Sequence, residues 1–421
     1  MKAILIAAPT SGAGKTTVTL GLLRALTQDG HRPRSLKLGP DYIDAAFHEA
    51  ATGQDAFNLD PWAMDHGLQR ALLAGPGPLV IESAMGLFDG AGLAGKGSAA
   101  EVARRFDLPI LLVIDCAKSA QTLPALVEGV VNHETGLRFH GLVLNNVGSD
   151  RHAQLLTAAF QRSNVPPIRA ILPRAPGLTL PSRHLGLVQA REHPDLASKL
   201  DEMAAWLRAA VSPETLLAEA PDTDNKQLIL PPPAQSIAVA RDAAFTFAYP
   251  HLLNAWQSAG ATLHVFSPLA NEEVPKADLI YLPGGYPELY AAELSGANKF
   301  IKSLRMRSKY TDIYGECGGY MALGKSLIDV DDNSFPMANL LDVTTSFKDR
   351  KMTLGYRNVT TAHGPFQGTW AAHEFHYSTP LEESGEPLFQ AEDADGTPLA
   401  PMGLRKGRVS GSYAHLIAPR S

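Results

Sequence analysis

Residues 3–17 read AILIAAPTSGAGKTT, which is an apolar run, then a loop with Gly-Ala-Gly-Lys, then the start of a helical pattern. The apolar run predicts a buried parallel strand, and the stripe of Val18, Leu22 and Leu26 predicts the helix after it. A strand, a glycine-rich loop and a helix that begins at Gly-Lys-Thr form a phosphate cradle, in which backbone amides and the helix N-terminus meet the anion. This stretch therefore predicts an α/β fold with a nucleotide site after its first strand.

The cradle assigns roles to single residues. Lys15 is predicted to reach the terminal phosphates, and the Thr16 hydroxyl is predicted to ligate Mg²⁺. Pro9 replaces the first glycine of the usual pattern and has no backbone N–H to donate. The backbone amides that contact the phosphates are therefore expected to be those from Ser11 onward. The predicted nucleotide contacts are Ser11, Gly12, Ala13, Gly14, Lys15, Thr16 and Thr17. The alternative is a glycine-rich turn that happens to carry a lysine.

Mg²⁺ also needs carboxylate ligands, and two candidates follow predicted strands. Asp41 lies in LGPDY at 38–42, and Glu82 ends another apolar run. Ligands gather at the carboxyl ends of strands in an open α/β sheet, which favours both residues as metal ligands. Lys37 is similarly placed to neutralise charge on a transferring phosphoryl group and to contact the nucleotide. The predicted cofactors are ATP and Mg²⁺.

The chain alternates short apolar runs with helical segments, a pattern typical of parallel strands with crossover helices. In the first half these runs lie at 3–7, 35–38, 78–82, 109–115, 141–144 and 168–172. Three prolines at 231–233 and the polar residues before them indicate a linker. After the linker, apolar runs again alternate with helical segments, and these runs lie at 237–240, 262–266, 279–282 and 312–314. The predicted organisation is a nucleotide-binding domain at 1–217, a linker at 218–235 and a second α/β domain at 236–421.

The second domain carries a cysteine at a predicted strand-to-helix turn. Cys317 lies within GECGGY at 315–320. Small residues around a nucleophile at such a turn form a nucleophile elbow, where the helix N-terminus lowers the thiol pKa. Cys317 is therefore the predicted thiolate nucleophile, and His415 is its predicted base. The backbone amides predicted to face an oxyanion are those of Gly284, Gly285 and Gly318.

Other residues offer competing interpretations. His373 and His376 flank Glu374 on a predicted strand and are alternatives, either as metal ligands or as the base. Two histidines and one glutamate with no nearby cysteine are a weak zinc signal. Cys116 lies inside an apolar strand and is interpreted as a buried apolar residue.

Composition excludes several classes of protein. The 421 residues are 45% hydrophobic and 19% charged, as in folded proteins of two or three domains. No apolar stretch approaches the ~20 residues of a membrane span, and no signal-peptide cleavage site follows the N-terminus, so we expect a cytoplasmic location. The net charge of −6 gives no electrostatic basis for a nucleic acid or an anionic membrane as partner. The expected partners are small-molecule substrates, and the oligomeric state stays open, a homodimer included.

Taken in this order, the motifs resemble the cobyrinic acid a,c-diamide synthase family of the vitamin B12 pathway, over nearly the whole chain. The most specific stretches are GPDYID at 39–44, NLDPWAM at 58–64, MGLFDG at 85–90, RHLGL at 183–187, the Cys317 elbow and EFHYS at 374–378. The resemblance implies a mostly parallel phosphate-loop synthetase domain, similar to dethiobiotin synthetase, at 1–217. It also implies a class I-type glutamine amidotransferase α/β domain at 236–421.

The resemblance further implies a reaction. ATP would convert a carboxylate into an acyl phosphate, and Cys317 would release ammonia from glutamine through a glutamyl thioester. The ammonia would then amidate the a and c acetate side chains of a corrin-type macrocycle. In related synthetase domains an asparagine contacts the adenine base, and Asn145 is the corresponding residue here. Class I amidotransferases often have a glutamate two residues after the histidine; Ile417 stands there, so a Cys-His dyad is expected and the group that orients His415 stays open.

The macrocycle carries several carboxylates, so a net-negative enzyme needs a local basic patch to bind it. The predicted substrate contacts are Tyr42, Arg183 and His184. Two related enzymes are alternatives, cobyric acid synthase and nickel-sirohydrochlorin a,c-diamide synthase. A partitioning-type ATPase is the alternative from another class, but it carries an extra lysine where this chain has Thr10 and has no glutaminase domain. Whether the macrocycle holds cobalt, and which acetate reacts first, stay open.

Overall fold

A computed structural model of the chain describes residues 1–183, 186–187, 189–223 and 230–420. The chain divides into two compact units, one of Met1–Trp62 with His66–Gln227 and one of Ala63–Asp65 with Leu228–Ser421. Each unit has its own sheet with a parallel core, so the predicted α/β class is confirmed. Within the part of the chain that the structure describes, no helix has the length and apolar character needed to span a membrane.

The first unit alternates strands with helices along the chain. Its strands are β1 (Lys2–Ala7), β2 (Arg34–Leu38), β3 (Ala56–Leu59), β4 (Leu79–Glu82), β5 (Pro109–Asp115), β6 (Arg138–Val147), β7 (Ile168–Pro173), β8 (Ser182–Arg183), β9 (Gly186–Leu187) and β10 (Ala218–Glu219). Its helices are α1 (Lys15–Gln28), α2 (Tyr42–Thr52), α3 (His66–Leu73), α4 (Ala99–Arg105), α5 (Leu123–His133), α6 (Asp150–Phe160) and α7 (Leu196–Arg208). The six apolar runs predicted as strands in this half are all strands.

The sheet of the first unit has the order β3-β2-β4-β1-β5-β6-β7 and is parallel along this path. Residues 3–7 of β1 are fully buried between β4 and β5, which explains their continuous apolar character. The chain leaves β1 toward β2 on one side, whereas β4 connects to β5 across β1. The loops after β1, β2 and β4 therefore meet at the carboxyl end of the sheet, where open α/β sheets bind their ligands.

Two short strands differ from the sequence prediction. β3 was not predicted, because its four residues include the polar Asn58 and give no apolar run. β10 lies at the start of the predicted linker, yet it pairs antiparallel with β1 through Glu219 and Lys2. Ala218 and Glu219 thus belong to the sheet of the first unit.

The second unit has a larger mixed sheet. Its strands are β11 (Ser236–Ala240), β12 (Thr262–Phe266), β13 (Leu279–Leu282), β14 (Asp312–Glu316), β15 (Ser326–Ile328), β16 (Ser334–Pro336), β17 (Val343–Ser346), β18 (Thr353–Thr361), β19 (Gly368–His376), β20 (Thr379–Glu383), β21 (Glu386–Glu392), β22 (Met402–Lys406), β23 (Val409–Ser412) and β24 (Ala414–Pro419). Its helices are α8 (Pro250–Ser258), α9 (Ala291–Gly296), α10 (Asn298–Arg307) and α11 (Gly318–Leu323).

The main sheet of this unit has the order β12-β11-β13-β14-β23-β22-β21-β18-β19-β24. The strands β12, β11, β13, β14 and β23 are parallel, and the remainder pair antiparallel. The apolar core lies against the parallel part and includes Ile280, Leu282, Ile313, Tyr320 and Leu323. This core holds β14 and α11 together, and Cys317 lies between them.

Candidate active site

The phosphate loop joins β1 to α1 and packs against the end of β6. Gly14 caps α1 with a left-handed φ of 92°, and a Cβ at this position would collide with the side-chain nitrogen of Asn145. That nitrogen donates to the carbonyl oxygen of Ala13 at 2.9 Å. Asn145, the predicted adenine contact, therefore holds the loop in place through its amide nitrogen.

Lys15 is the first residue of α1 and is largely buried. Its Nζ donates to the carbonyl oxygen of Met85, in the loop after β4, at 2.7 Å. Burial, followed by the nearby charge of Lys37, lowers the pKa of Lys15. The hydrogen bond holds the ammonium group at the carboxyl end of the sheet, where the terminal phosphates of a nucleotide on this loop would lie.

Glu82, at the end of β4, receives three side-chain donors. Thr16 Oγ1 donates to Oε1 at 2.6 Å, Lys37 Nζ to Oε1 at 2.9 Å, and His48 Nε2 lies 2.8 Å from Oε2. Burial alone would raise the pKa of Glu82, but the charge of Lys37 and the hydrogen bond from His48 outweigh it and hold the pKa well below its usual range. Glu82 is therefore an ionised carboxylate, although it is fully buried.

The donor set at Thr16 and Glu82 fits Mg²⁺. A hydroxyl and a carboxylate in contact supply hard oxygen ligands, and Mg²⁺ in nucleotide sites takes one or two carboxylates and completes its shell with phosphate oxygens and water. When bound, Mg²⁺ neutralises phosphate charge. The structure thus brings two of the three predicted metal ligands together.

Asp41, the third predicted ligand, has a local role in the structure. Its Oδ1 accepts from the backbone N–H groups of Ile43 at 2.9 Å and Asp44 at 3.2 Å, so it is the N-cap of α2. Burial, with the neighbouring charge of Asp44, raises the pKa of Asp41 to about 7. Asp44, rather than Asp41, forms the ion pair with Lys37.

Sequence reasoning missed Asp44 and His48, which both contact this cluster from α2. They lie four residues apart, so they occupy the same face of the helix. That spacing, directly after the GPDY stretch, is the signal that would have found them. The predicted substrate contacts are less defined: Tyr42 is the first residue of α2, Arg183 belongs to β8, and His184 lies outside the described residues.

Cys317 occupies a strained turn between β14 and α11. Its backbone has φ 44° and ψ −101°, and its N–H donates to the carbonyl oxygen of Ser412 at 2.8 Å. The second residue after it must be glycine, because a Cβ at Gly319 would collide with the carbonyl oxygen of Leu282. This geometry is that of the predicted nucleophile elbow.

The predicted direction of the Cys317 pKa shift is wrong for the unliganded protein. Burial, followed by the nearby charge of Glu288, raises the pKa of the thiol. Helix α11 has six residues, and its N-terminus does not offset the desolvation and the nearby carboxylate. The thiol is therefore protonated at neutral pH.

His415, on β24, is the predicted base. Burial, followed by the charges of His373 and His376, lowers the pKa of His415 to about 3, so the imidazole is neutral near neutral pH. Its ring lies against Gly284, where a Cβ would collide with Cε1. A Cβ at Gly318 would lie 3.0 Å from the backbone nitrogen of Gly285. The three predicted oxyanion glycines thus lie around the predicted nucleophile and base.

Comparisons with known proteins match a family domain to each of the two units. Residues 4–188 match the CobQ/CobB/MinD/ParA nucleotide binding domain, and residues 236–421 match the CobB/CobQ-like glutamine amidotransferase domain. The hydrogenobyrinate a,c-diamide synthase of Brucella suis is 48% identical over 99% of this chain and 98% of its own. Those of Rhodobacter capsulatus and Rhizobium meliloti are each 46% identical over 99% of both chains. The chain belongs to the hydrogenobyrinate a,c-diamide synthase family.

Family membership settles the class of reaction. As a member of the hydrogenobyrinate a,c-diamide synthase family, the protein is an ATP-dependent carbon–nitrogen ligase with glutamine as nitrogen donor. The matched amidotransferase domain excludes the partitioning-type ATPase. A solved structure of the septum site-determining protein MinD with Mg-ADP, from Pyrococcus horikoshii, covers 48% of this chain and 94% of its own at 20% identity and a TM-score of 0.28.

The histidines of β19 have other partners in this family member. His376 Nε2 lies 3.0 Å from Glu374 Oε1, and Arg357 Nε donates to Glu374 Oε2 at 2.9 Å. The His376 ring also stacks on Tyr413, with 3.9 Å between the ring centroids. Among the described residues, no group of three or more His, Cys, Asp or Glu side chains could hold a metal ion. His373 lies opposite His415 in the pairing of β19 with β24, and its charge contributes to the lowered pKa of His415.

Proposed function

We propose that this enzyme amidates the a and c acetate carboxylates of hydrogenobyrinate, with ATP as the activating cofactor and glutamine as the ammonia source. One observation carries the proposal. A phosphate loop joined to an ionised Glu82, and a cysteine elbow with a neutral histidine, occur in one chain that matches hydrogenobyrinate a,c-diamide synthases over its full length. The product of each step is a carboxamide.

The first unit would activate the carboxylate. A carboxylate resists ammonia because it is anionic and its oxygen is a poor leaving group. Transfer of the γ-phosphoryl group from ATP to a carboxylate oxygen forms an acyl phosphate and releases ADP. The amides of Ser11 to Thr17 would bind the phosphates, with Lys15 on the terminal ones, and Lys37 would offset charge during the transfer. Thr16, Glu82 and Asp41 are the proposed Mg²⁺ ligands.

The second unit would release ammonia. His415 takes the proton of the Cys317 thiol, and the thiolate attacks the amide carbon of glutamine. The amides of Gly284, Gly285 and Gly318 would donate to the oxyanion. The C–N bond then breaks, ammonia leaves with the proton held by His415, and water hydrolyses the glutamyl thioester to glutamate.

Ammonia completes the reaction by attacking the acyl phosphate carbon, and inorganic phosphate leaves. Each amidation therefore consumes one ATP, one glutamine and one water, and yields ADP, phosphate and glutamate. Asn145 is the proposed adenine contact. Tyr42, Arg183 and His184 are the proposed contacts to the macrocycle, whose carboxylates suit an arginine fork.

Isotope transfer tests the acyl phosphate. Hydrogenobyrinate labelled with ¹⁸O in its carboxylates is incubated with ATP, Mg²⁺ and glutamine, and the phosphate is analysed by mass spectrometry. The proposal predicts one ¹⁸O in the inorganic phosphate for each amide formed. Label in AMP would indicate adenylation instead and would contradict the proposed intermediate. Lys15→Ala is the control that should form neither labelled phosphate nor amide.

A further inference from the structure

A buried carboxyl group lies beside the proposed base. Oε2 of Glu316, the last residue of β14, is 3.9 Å from Nδ1 of His415 on β24. Both side chains are at most 2% exposed. Burying a carboxyl group is costly unless it has partners, so its presence next to a base needs a physical reason.

Two hydrogen bonds fix this carboxyl group in position. Tyr281 on β13 donates its hydroxyl to Oε2 at 2.8 Å, and the N–H of Leu416 donates to Oε1 at 3.1 Å. Leu416 is the residue after His415, so the carboxyl group is tied to the backbone that carries the base. Glu316 is also adjacent to Cys317, and its strand pairs with Ser412 on β23. Neighbouring strands thus hold the carboxyl group at the level of the elbow.

We propose that Glu316 is the positioning residue that orients His415 and stabilises its protonated form. The proposal deepens the glutaminase chemistry given above and rests on it. When His415 takes the Cys317 proton on Nε2, both ring nitrogens carry hydrogen, and the Nδ1–H faces Glu316. No atom is gained or lost in this role. A carboxylate that faces the far nitrogen of a histidine base fixes the ring and offsets the charge of the imidazolium.

The ionisation states of Glu316 and His415 determine how this role would depend on pH. Burial raises the pKa of Glu316 to about 8, although Tyr281 and the Leu416 N–H oppose the shift. The neutral His415 and a protonated Glu316 therefore coexist near neutral pH, and loss of the Glu316 proton creates the carboxylate that the imidazolium needs. Activity should rise with pH through an ionisation that belongs to the pair. The other ionisable groups acting on the site are His373, Glu374 and His376 on β19, Glu288 beyond β13, Tyr314 on β14, and Tyr413.

Two variants separate this role from a structural one. Glu316→Gln keeps the shape and removes the charge. We expect glutaminase kcat to fall by roughly 10²-fold, within the range of general acid–base effects, with the KM for glutamine unchanged and the rise with pH lost. Tyr281→Phe keeps the Glu316 carboxyl group but removes the hydrogen bond that lowers its pKa. The rise in glutaminase activity should therefore move to higher pH. Both variants should retain ammonia-dependent amidation.

The pH profile of Cys317 alkylation by iodoacetamide provides an independent readout, with Cys317→Ser as the blank. A wild-type kcat and pH profile in Glu316→Gln would overturn the proposal. Should Glu316→Gln fold poorly, Tyr281→Phe decides alone, and an unshifted profile would overturn the proposal. Glutamine-dependent activity in Cys317→Ser would instead contradict the proposed function itself.

Discussion

Lys15 is the residue on which the account of the synthetase site depends most. Its ammonium group is held by the Met85 carbonyl at the carboxyl end of the sheet. Lys15→Ala removes the proposed main cationic contact to the transferring phosphoryl group. We expect amidation to be lost with glutamine and with ammonia alike, while hydrolysis of glutamine to glutamate persists. Coupled assays of ADP and glutamate measure both activities, and substantial amidation by the variant would contradict the assignment.

His48, on α2, contacts the carboxyl group of Glu82 and is not itself a proposed Mg²⁺ ligand. Its replacement therefore tests how much this contact contributes to Mg²⁺ binding by Glu82. His48→Ala removes the hydrogen bond to Oε2 and leaves a buried carboxylate short of one donor. We expect the Mg²⁺ concentration for half-maximal activity to rise by about 10–100-fold. We also expect the free energy of unfolding to fall by about 1–3 kcal/mol. Mg²⁺ titrations with ammonia and urea denaturation measure the two effects, and His48→Gln, which keeps a donor, should recover part of each.

At the residue scale, the sequence predicts those functional residues whose geometry is determined by a short local motif. The phosphate loop and Cys317 are of this kind, since neighbours in sequence create the geometry. The spacing of Asp44 and His48 places both on one face of α2, but the partners of Asp44, His48 and Glu316 depend on which side chains from other elements meet them. Glu316 is adjacent to Cys317 in sequence, but only the folded structure shows that its carboxyl group lies 3.9 Å from Nδ1 of His415.

At the scale of elements, the start of α2 gives Asp41 two competing roles. It caps the helix, and it is a proposed Mg²⁺ ligand. Asparagine caps a helix about as well as aspartate does, so Asp41→Asn removes the charge and keeps the cap. We expect thermal stability to stay close to wild type, whereas the Mg²⁺ requirement rises. An unchanged Mg²⁺ titration would remove Asp41 from the metal site and leave it as a cap only.

The same scale shows where strand prediction succeeds. β1, β4 and β5 are covered on both faces, so their residues form continuous apolar runs that the sequence reveals. The antiparallel strands of the second unit mix polar and apolar residues, as in β18 and β21, and several are three to five residues long. Their position depends on pairing with particular partner strands, which periodicity does not encode.

At the scale of the whole molecule, the proposed function gives each unit an activity of its own, and the two activities should be separable. Cys317→Ser removes the proposed nucleophile of the second unit and leaves the phosphate loop of the first unit unchanged. We expect glutamine-dependent amidation to be lost and ammonia-dependent amidation to stay near the wild-type rate. Steady-state assays with each nitrogen donor measure this. Equal loss of both activities would show that Cys317 is structural or acts in the synthetase step.

The central claim is that one chain moves the amide nitrogen of glutamine onto two carboxylates of hydrogenobyrinate at the expense of ATP. The most direct measurement is mass spectrometry of the macrocycle after incubation with ATP, Mg²⁺ and glutamine labelled with ¹⁵N in its side-chain amide. Parallel reactions lack ATP or use the cobalt-bearing macrocycle. The account predicts that hydrogenobyrinate gains two ¹⁵N amides, at the a and c acetates, only when ATP is present. An unchanged macrocycle, amides without ¹⁵N, or amides at other side chains would contradict it.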